Sequence, residues 1–269
     1  MARTASLAAP APSSRQYNRR VTGVREREAA HHDRFAAALD PASMPPTEPD
    51  RIERMLLGAI GPVAGLRVLE LGCGHGDLTL QLLERGASVV AIDISAGMVD
   101  VTRERAKRFR PGADLEARAA PVEDSGVEAA SVDLVTGKWI LHHVDLAAAA
   151  REVHRVLRPE GRGVFFENHA LNPLLSVGRR HFVGRFGVRR FGTEDEHPLT
   201  RDDYALWSST FSSLELEYPD FHFFGLLSRQ LFTRRPRVRE AGLRLDDVLW
   251  RRLPAVRPYG YHVIVSVKR

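Results

Sequence analysis

The feature that most constrains this chain is a rhythm. Between Arg67 and Glu167, short apolar runs alternate with longer helical ones. Arg67–Leu71, Ser88–Ile92, Asp114–Ala119, Val132–Thr136 and Gly163–Glu167 read as strands. Leu78–Arg85, Ser95–Phe109 and Leu146–Leu157 read as helices, closed by Gly86, by Pro111-Gly112, and by Pro159 with Gly161. Strands that alternate with helices pair in parallel, because a crossover helix is what returns the chain to the same sheet edge. The sequence therefore predicts an α/β fold: a mostly parallel central sheet flanked by helices.

The flanks obey other patterns. Residues 1–20 are rich in Ala, Pro, Ser and Arg without periodicity and predict an irregular tail. Val21–Leu39 and Arg51–Ile60 predict an N-terminal helical segment, broken at Asp40-Pro41 and at Gly61-Pro62. After Glu167 the rhythm stops. Residues 168–260 predict a cap inserted after the fifth strand, with a helix opening at Thr200 and a sixth strand at Ser213–Tyr218. Residues 261–269 hold the last strand, His262–Val267. One domain over 21–269, with 61–167 as its core, accounts for the whole pattern.

Composition narrows the class. The single cysteine, Cys73, excludes an internal disulfide and a cysteine-based zinc site. No apolar stretch reaches the length of a membrane span, and the N-terminus lacks the apolar core of a signal peptide, so a cytoplasmic protein without stable membrane insertion is predicted. The net charge of +5 leaves anionic partners open, but the surplus is regional. Residues 178–191 carry five Arg and no acid, whereas 194–220 carry eight acids and one Arg.

The strongest constellation is the turn after the first strand, Val68-Leu69-Glu70-Leu71-Gly72-Cys73-Gly74-His75-Gly76. Glycines there permit positive φ and let a ligand approach the backbone. The following helix offers free N–H groups and the positive end of its dipole. Asp93 closes the next strand, about 20 residues on, where a carboxylate accepts hydrogen bonds from a ribose diol. Turn and acid together predict a nucleoside-containing cofactor at the carboxyl ends of the strands. A nicotinamide dinucleotide calls for G-x-G-x-x-G. The spacing here is Gly72-x-Gly74-x-Gly76, which disfavours hydride transfer.

The run Glu70-x-Gly72-x-Gly74-x-Gly76 resembles motif I of class I S-adenosylmethionine-dependent methyltransferases. Ser131-Val132-Asp133-Leu134-Val135 resembles their fourth-strand motif. Leu141-His142-His143-Val144, followed by Arg155-Val156-Leu157-Arg158-Pro159-Glu160-Gly161, resembles their next helix and the turn after it. The resemblance spans residues 50–168 and implies a Rossmann-like fold with S-adenosyl-L-methionine as cofactor. It implies that Glu70 holds the methionine amino group and that Gly72, Gly74 and Gly76 shape the pocket beneath. Asp93 would bind the ribose, Ile94 and Met98 would lie against the adenine, and Val122 and Glu123 would sit at its edge. Gly137 and Lys138 would face the transferring methyl group. The sequence departs from the family at Pro121, where many members place an adenine-binding Asp. Adenine recognition then falls to the Val122 N–H, Glu123 or Asp124.

Glu28-Ala29-Ala30-His31-His32-Asp33, Asn172-Pro173-Leu174-Leu175 and Thr193–Leu199 are similar to a bacterial subgroup of these enzymes thought to act on small molecules or lipid-like natural products. That favours a small acceptor, acidic or amphipathic, methylated on oxygen ahead of nitrogen or carbon. The protein is a monomer or a homodimer on this reading.

A hydroxyl acceptor must lose a proton, and histidine titrates in the useful range. His142, His143 and His169 follow the fourth and fifth strands and are the candidate bases, with His197 beyond them. Each also reads as a capping or packing histidine. Adjacent His31 and His32 point to different helix faces, so no metal site is expected. Asn172-Pro173 superficially resembles the loop of nucleic-acid amino-methyltransferases, but it follows the fifth strand and lacks an aromatic to stack a base. The Arg179–Arg190 cluster admits three readings: a surface paired with the acids of 194–220, a guide for an acidic acceptor, or a nucleic-acid contact. The rivals to a small-molecule enzyme are an RNA methyltransferase and a non-catalytic cofactor-binding module. Nucleic acid is disfavoured because no separate basic domain is evident.

Overall fold

A computed structural model describes residues 14–181, 198–231 and 235–269. The chain opens with α1 (Ser14–Ala36) and α2 (Arg51–Ile60). Then β1 (Arg67–Leu71), α3 (Asp77–Glu84), β2 (Ser88–Asp93), α4 (Ala96–Phe109), β3 (Leu115–Ala119), β4 (Val132–Lys138), α5 (Leu146–Val156) and β5 (Leu157–Asn168) follow, as the rhythm predicts. Beyond them come α6 (Pro173–His181), α7 (Arg201–Thr210), β6 (Ser213–Glu217), α8 (Phe224–Leu231), α9 (Pro236–Arg252) and β7 (His262–Lys268).

Among the described residues the seven strands form one sheet in the order β3-β2-β1-β4-β5-β7-β6. The β1–β2, β1–β4, β2–β3 and β4–β5 pairs are parallel. Only β7 is reversed, pairing antiparallel with both β5 and β6. The carboxyl ends of β1, β2, β4, β5 and β6 therefore share one edge. The chain passes from β1 outward to β2 on one side and returns to β4 on the other. That switch point opens a crevice at the carboxyl ends of the strands.

Strand residues alternate between two cores because side chains alternate across a sheet. Leu69, Leu71, Val90, Ile92, Val135 and Phe165 pack on one face with α5 and α7. Val68, Val89, Ala91, Leu134, Val164 and Phe166 pack on the other with α2, α3 and α4. Each fully buried Leu, Ile or Phe contributes about 1.5–3 kcal/mol, so these layers dominate the stability of the sheet. The helices begin where their sequences say they should. Asp50 and Glu53 form a capping box on α2, Thr200 and Asp203 another on α7, and Asp145 caps α5.

Two bounds differ most from expectation. The first helix starts at Ser14, inside the compositionally irregular tail. The last proline of that tail is Pro12, so nothing from Ser14 onward forbids helical backbone. The fifth strand begins at Leu157, ahead of the turn residues. It pairs with β4 at Leu157 and again from Arg162, with a register shift between, and Glu160 there takes a φ of 65°. Residues 1–13 and 182–197 lie outside the described residues. His197, most of the Arg cluster and its pairing with the acids beyond fall there. No helix among the described residues is long and apolar enough to cross a membrane.

Candidate active site

The glycine turn crosses from β1 to α3 with positive φ at Gly72, Gly74 and Gly76, of 68°, 52° and 88°. The three glycines serve different ends. A Cβ at Gly72 would lie 2.9 Å from Ile140 Cδ1, and one at Gly76 would lie 2.9 Å from Thr102 Oγ1. At Gly74 a Cβ would meet nothing within 4 Å. The turn is thus packed from below at its ends and open at its middle, where a ligand can reach backbone.

Asp93 is half-buried at the end of β2 and closes the other side. Its Oδ2 accepts from the Gly74 N–H at 2.9 Å and its Oδ1 from the Ser95 N–H at 2.9 Å. A carboxylate can accept about four hydrogen bonds, so capacity is left for a diol. Glu70 is 2% exposed and accepts from Thr79 Oγ1 at 2.6 Å. Burial, opposed by that hydrogen bond and by the charge of Lys138, pushes its carboxyl up to about 8. A cationic ligand group beside it would favour the ionised form.

Arg105, which the sequence does not single out, holds the turn from behind. Its side chain is buried, and Nη1 donates to the His75 carbonyl at 2.5 Å and to Asp77 Oδ1 at 2.8 Å. Burial alone would raise the Asp77 carboxyl, but hydrogen bonds from His75 and Arg105 outweigh it and pull it down to about 2.

The helix α1 lies across the carboxyl edge. Asp33 accepts from Ser95 Oγ at 2.5 Å and from the Gly97 N–H at 3.0 Å. Ala36 packs so close to Gly97 that a Cβ there would fall 2.9 Å away. Arg25 Nη2 pairs with Glu123 Oε1 at 2.9 Å, and Glu28 Oε2 lies 4.0 Å from His143 Nδ1. These contacts set α1 from the α4 N-terminus to the loop after β4.

The loop after β4 is organised by another residue the sequence leaves unremarked, Glu167. It is fully buried at the end of β5. Its Oε1 accepts from the Ile140 and Leu141 N–H groups at 2.8 and 2.7 Å, and its Oε2 meets His142 Nδ1 at 2.6 Å. A carboxylate only accepts, so Nδ1 is the protonated nitrogen and a neutral His142 keeps its lone pair on Nε2. His143 stacks beside it with ring centroids 4.3 Å apart. Trp139, between Lys138 and this loop, takes a φ of 56°, uncommon for a bulky residue and a mark of a constrained site.

His169, two residues past Glu167, is 1% exposed, and among the described residues neither ring nitrogen has a hydrogen-bond partner of good geometry, although the Gly260 backbone lies close enough to favour its protonated form. Burial, reinforced by His262, pulls it down to about 4, so it is neutral at physiological pH. The remaining candidates separate. Lys138 Nζ is bound to Glu53 Oε1 at 2.7 Å and is thus tied to α2. A Cβ at Gly137 would lie 2.9 Å from the Leu71 carbonyl oxygen, so packing alone requires a glycine there. Met98 is buried against Ala36 and Val101, while Ile94 is half-exposed. Val122 is in the core and Glu123 is engaged by Arg25 and the Asp145 N–H. Asn172 caps α6 and donates to the Tyr259 carbonyl, which is a structural task. No group of three or more His, Cys, Asp or Glu among the described residues could hold a metal.

Residues 69–165, which contain the turn, Asp93 and the loop after β4, match a family model described as a methyltransferase domain. The matched stretch covers the sheet core and is less than half of the chain. An uncharacterized methyltransferase of Mycobacterium tuberculosis is 42% identical over 118 residues, 44% of each chain. A ubiquinone biosynthesis O-methyltransferase of Acinetobacter baylyi is 34% identical over 146 residues, 52% of this chain and 60% of the relative. The chain thus spans about half the length of the curated relatives it matches. The geranyl diphosphate C-methyltransferase of Streptomyces coelicolor shares the fold at a TM-score of 0.56 and 16% identity, covering 80% of this chain and 77% of that one. The residues of the turn and its two acids fit S-adenosylmethionine, the cofactor that the sequence resemblance implies. A cradle open at Gly74, a buried acid for an ammonium group and a half-buried acid for a diol answer its three polar parts.

Proposed function

We propose that the protein transfers a methyl group from S-adenosylmethionine to an oxygen of a small metabolite or lipid-like natural product. The observation that carries this reading is the His142–Glu167 pair at 2.6 Å. S-adenosylmethionine supplies a methyl group already activated on a sulfonium centre. What the protein must add is a dry, fixed approach for the nucleophile and a place for its proton.

Glu167 fixes the ring of His142 and its tautomer, so that Nε2 accepts the proton of an acceptor hydroxyl. Burial of Glu167 keeps water from competing for the carboxylate and strengthens its hold on the imidazolium that forms. A hydroxyl is the weakest nucleophile of the three until its proton is withdrawn, so the pair contributes most for an oxygen acceptor. His143 orients α1 through Glu28, and His169 stays neutral.

At the donor side, Glu70 takes the methionine ammonium, the turn from Gly72 to Gly76 takes the backbone approach, and Asp93 takes the ribose. Glu123 is engaged by Arg25 and Asp145, so the adenine edge falls to the Val122 N–H. That group opens a short helical turn, where no internal acceptor exists for it. Ile94 lies against the ring. Incubation with methyl-labelled S-adenosylmethionine and a host metabolite extract tests the reading. An O-methyl product supports it, and labelled N- or C-methyl products alone overturn the oxygen assignment.

A further inference from the structure

At the same sheet edge as the His142–Glu167 pair lies a cleft that the methyl-donor site does not use. It has a volume of about 440 Å³ and is bounded by α7, the end of β6 and the 254–259 turn. Arg201, Tyr204, Leu216, Tyr218, Pro258 and Tyr259 line it. Its volume falls in the range of small-molecule sites, roughly 300–1,000 Å³. Because β6 runs parallel to β5, Leu216 and Tyr218 stand at the same sheet edge as Glu167 and His142.

Three of the four buried side-chain polar atoms without a partner among the described residues gather here. They are the Tyr204 hydroxyl, which lines the cleft, and the ring nitrogens of His169, which does not line it and has the Gly260 backbone nearby. Tyr204 lines the cleft and is 8% exposed. The His169 ring lies 5.6 Å from that of Tyr218, tilted by 30°. Buried polar groups are nearly always satisfied, so the Tyr204 hydroxyl, unpartnered among the described residues, points to a ligand that completes it.

The lining also states what would fit. Tyr218 and Tyr259 offer ring faces, with Leu216 and Pro258 apolar beside them. Aromatic rings prefer offset or edge contacts with another ring. Arg201 is the only charged residue of the lining and has no ion-pair partner among the described residues. A guanidinium matches a carboxylate in a two-point contact.

We propose that this cleft is the acceptor subsite and that it takes a planar aromatic compound bearing an anionic group. The ring lies against Tyr218 and Tyr259, the anion meets Arg201, and a polar substituent completes Tyr204. The proposal rests on the methyl-transfer reading above.

Calorimetry of the full chain with saturating S-adenosylhomocysteine tests it, using 3,4-dihydroxybenzoate and its neutral amide as probes. The benzoate is expected to bind at least about tenfold more tightly than the amide, as a charged hydrogen bond outweighs a neutral one. Arg201→Gln should abolish that preference. Tyr204→Phe should weaken both probes by about threefold to tenfold without lowering the melting temperature, since it removes an unpartnered hydroxyl. A purely structural Tyr204 would leave affinity unchanged. Equal binding of the two probes, or binding that survives both substitutions, overturns the proposal. If S-adenosylhomocysteine binds and the benzoate does not, the subsite fails and the methyltransferase reading stands. If the benzoate binds through Arg201 and S-adenosylhomocysteine does not bind, the reaction fails and the aryl-anion site stands.

Discussion

Replacing Glu167 with glutamine alters the centre of the proposed mechanism while leaving its shape. In the native protein the carboxylate is fully buried and accepts three hydrogen bonds, from two backbone N–H groups and from His142. Alanine would orphan all three donors at about 1–3 kcal/mol each, a total comparable with the whole stability of a domain. Glutamine avoids that. Its carbonyl oxygen can serve Ile140 and Leu141, and its amide then faces His142 Nδ1 with donors. The imidazole must answer with a lone pair at Nδ1, which moves its proton to Nε2. Stability should fall by only about 1–2 kcal/mol, the difference between a charged and a neutral hydrogen bond. Turnover should fall by about 10²–10⁴-fold, because the base now carries its proton on the wrong nitrogen. Denaturant unfolding, turnover with labelled methyl donor and a hydroxylated acceptor, and ¹⁵N–¹H correlation of the His142 ring read the three consequences separately. Turnover within threefold of wild type in a folded Glu167→Gln variant that shows the Nε2–H tautomer would refute the reasoning.

Other consequences follow from the donor side. Glu70 has a folded value of about 8 against an ordinary 4.5. The folded state therefore binds more protons across that window, and stability declines as pH rises from about 4.5 to 8, then levels. Glu70→Gln should flatten that decline in urea titrations run across pH, and an unchanged slope would contradict the burial argument. Binding of S-adenosylhomocysteine should release a proton near pH 7, seen as a buffer-dependent heat that Glu70→Gln abolishes. Gly74→Ala should cost only about 1–2 kcal/mol of stability, the strain of left-handed backbone without a clash, yet weaken the cofactor at least tenfold. Gly76→Ala adds a contact with the Thr102 backbone at 3.2 Å and should destabilise more, a comparison made by melting both variants. Arg105→Met should lower stability by about 1–3 kcal/mol by leaving the buried turn carbonyl unpaired and Asp77 with His75 alone, measured by chemical unfolding.

What the sequence made legible is what local patterns encode. Apolar runs bounded by glycine and proline placed β1, β2 and β4 and the helices between them, because period and punctuation are local signals. Gly72, Gly74, Gly76 and Asp93 were legible because their spacing is set by one strand–turn–helix unit. Glu167 and Arg105 were not. An acid at a strand end and an arginine on a helix both read as solvated surface until tertiary packing buries them. The same holds for Asp33, Arg25 and Glu28, whose partners lie far along the chain and depend on how α1 docks. The sequence implied Gly137 and Lys138 at the methyl site, whereas packing against Leu71 and an ion pair with Glu53 already account for them. The cleft is assembled from α7, β6 and the turn before β7, so no window of sequence contains it.

The central claim is that the glycine turn and Asp93 hold S-adenosylmethionine at the switch point of the sheet. Calorimetric titration of the full chain with S-adenosylhomocysteine, beside Asp93→Asn, addresses it most directly. The expected result is saturable one-site binding that Asp93→Asn weakens by about tenfold, as charged hydrogen bonds to the ribose become neutral ones. No saturable binding to the wild-type chain, or an affinity indifferent to Asp93→Asn, would contradict it.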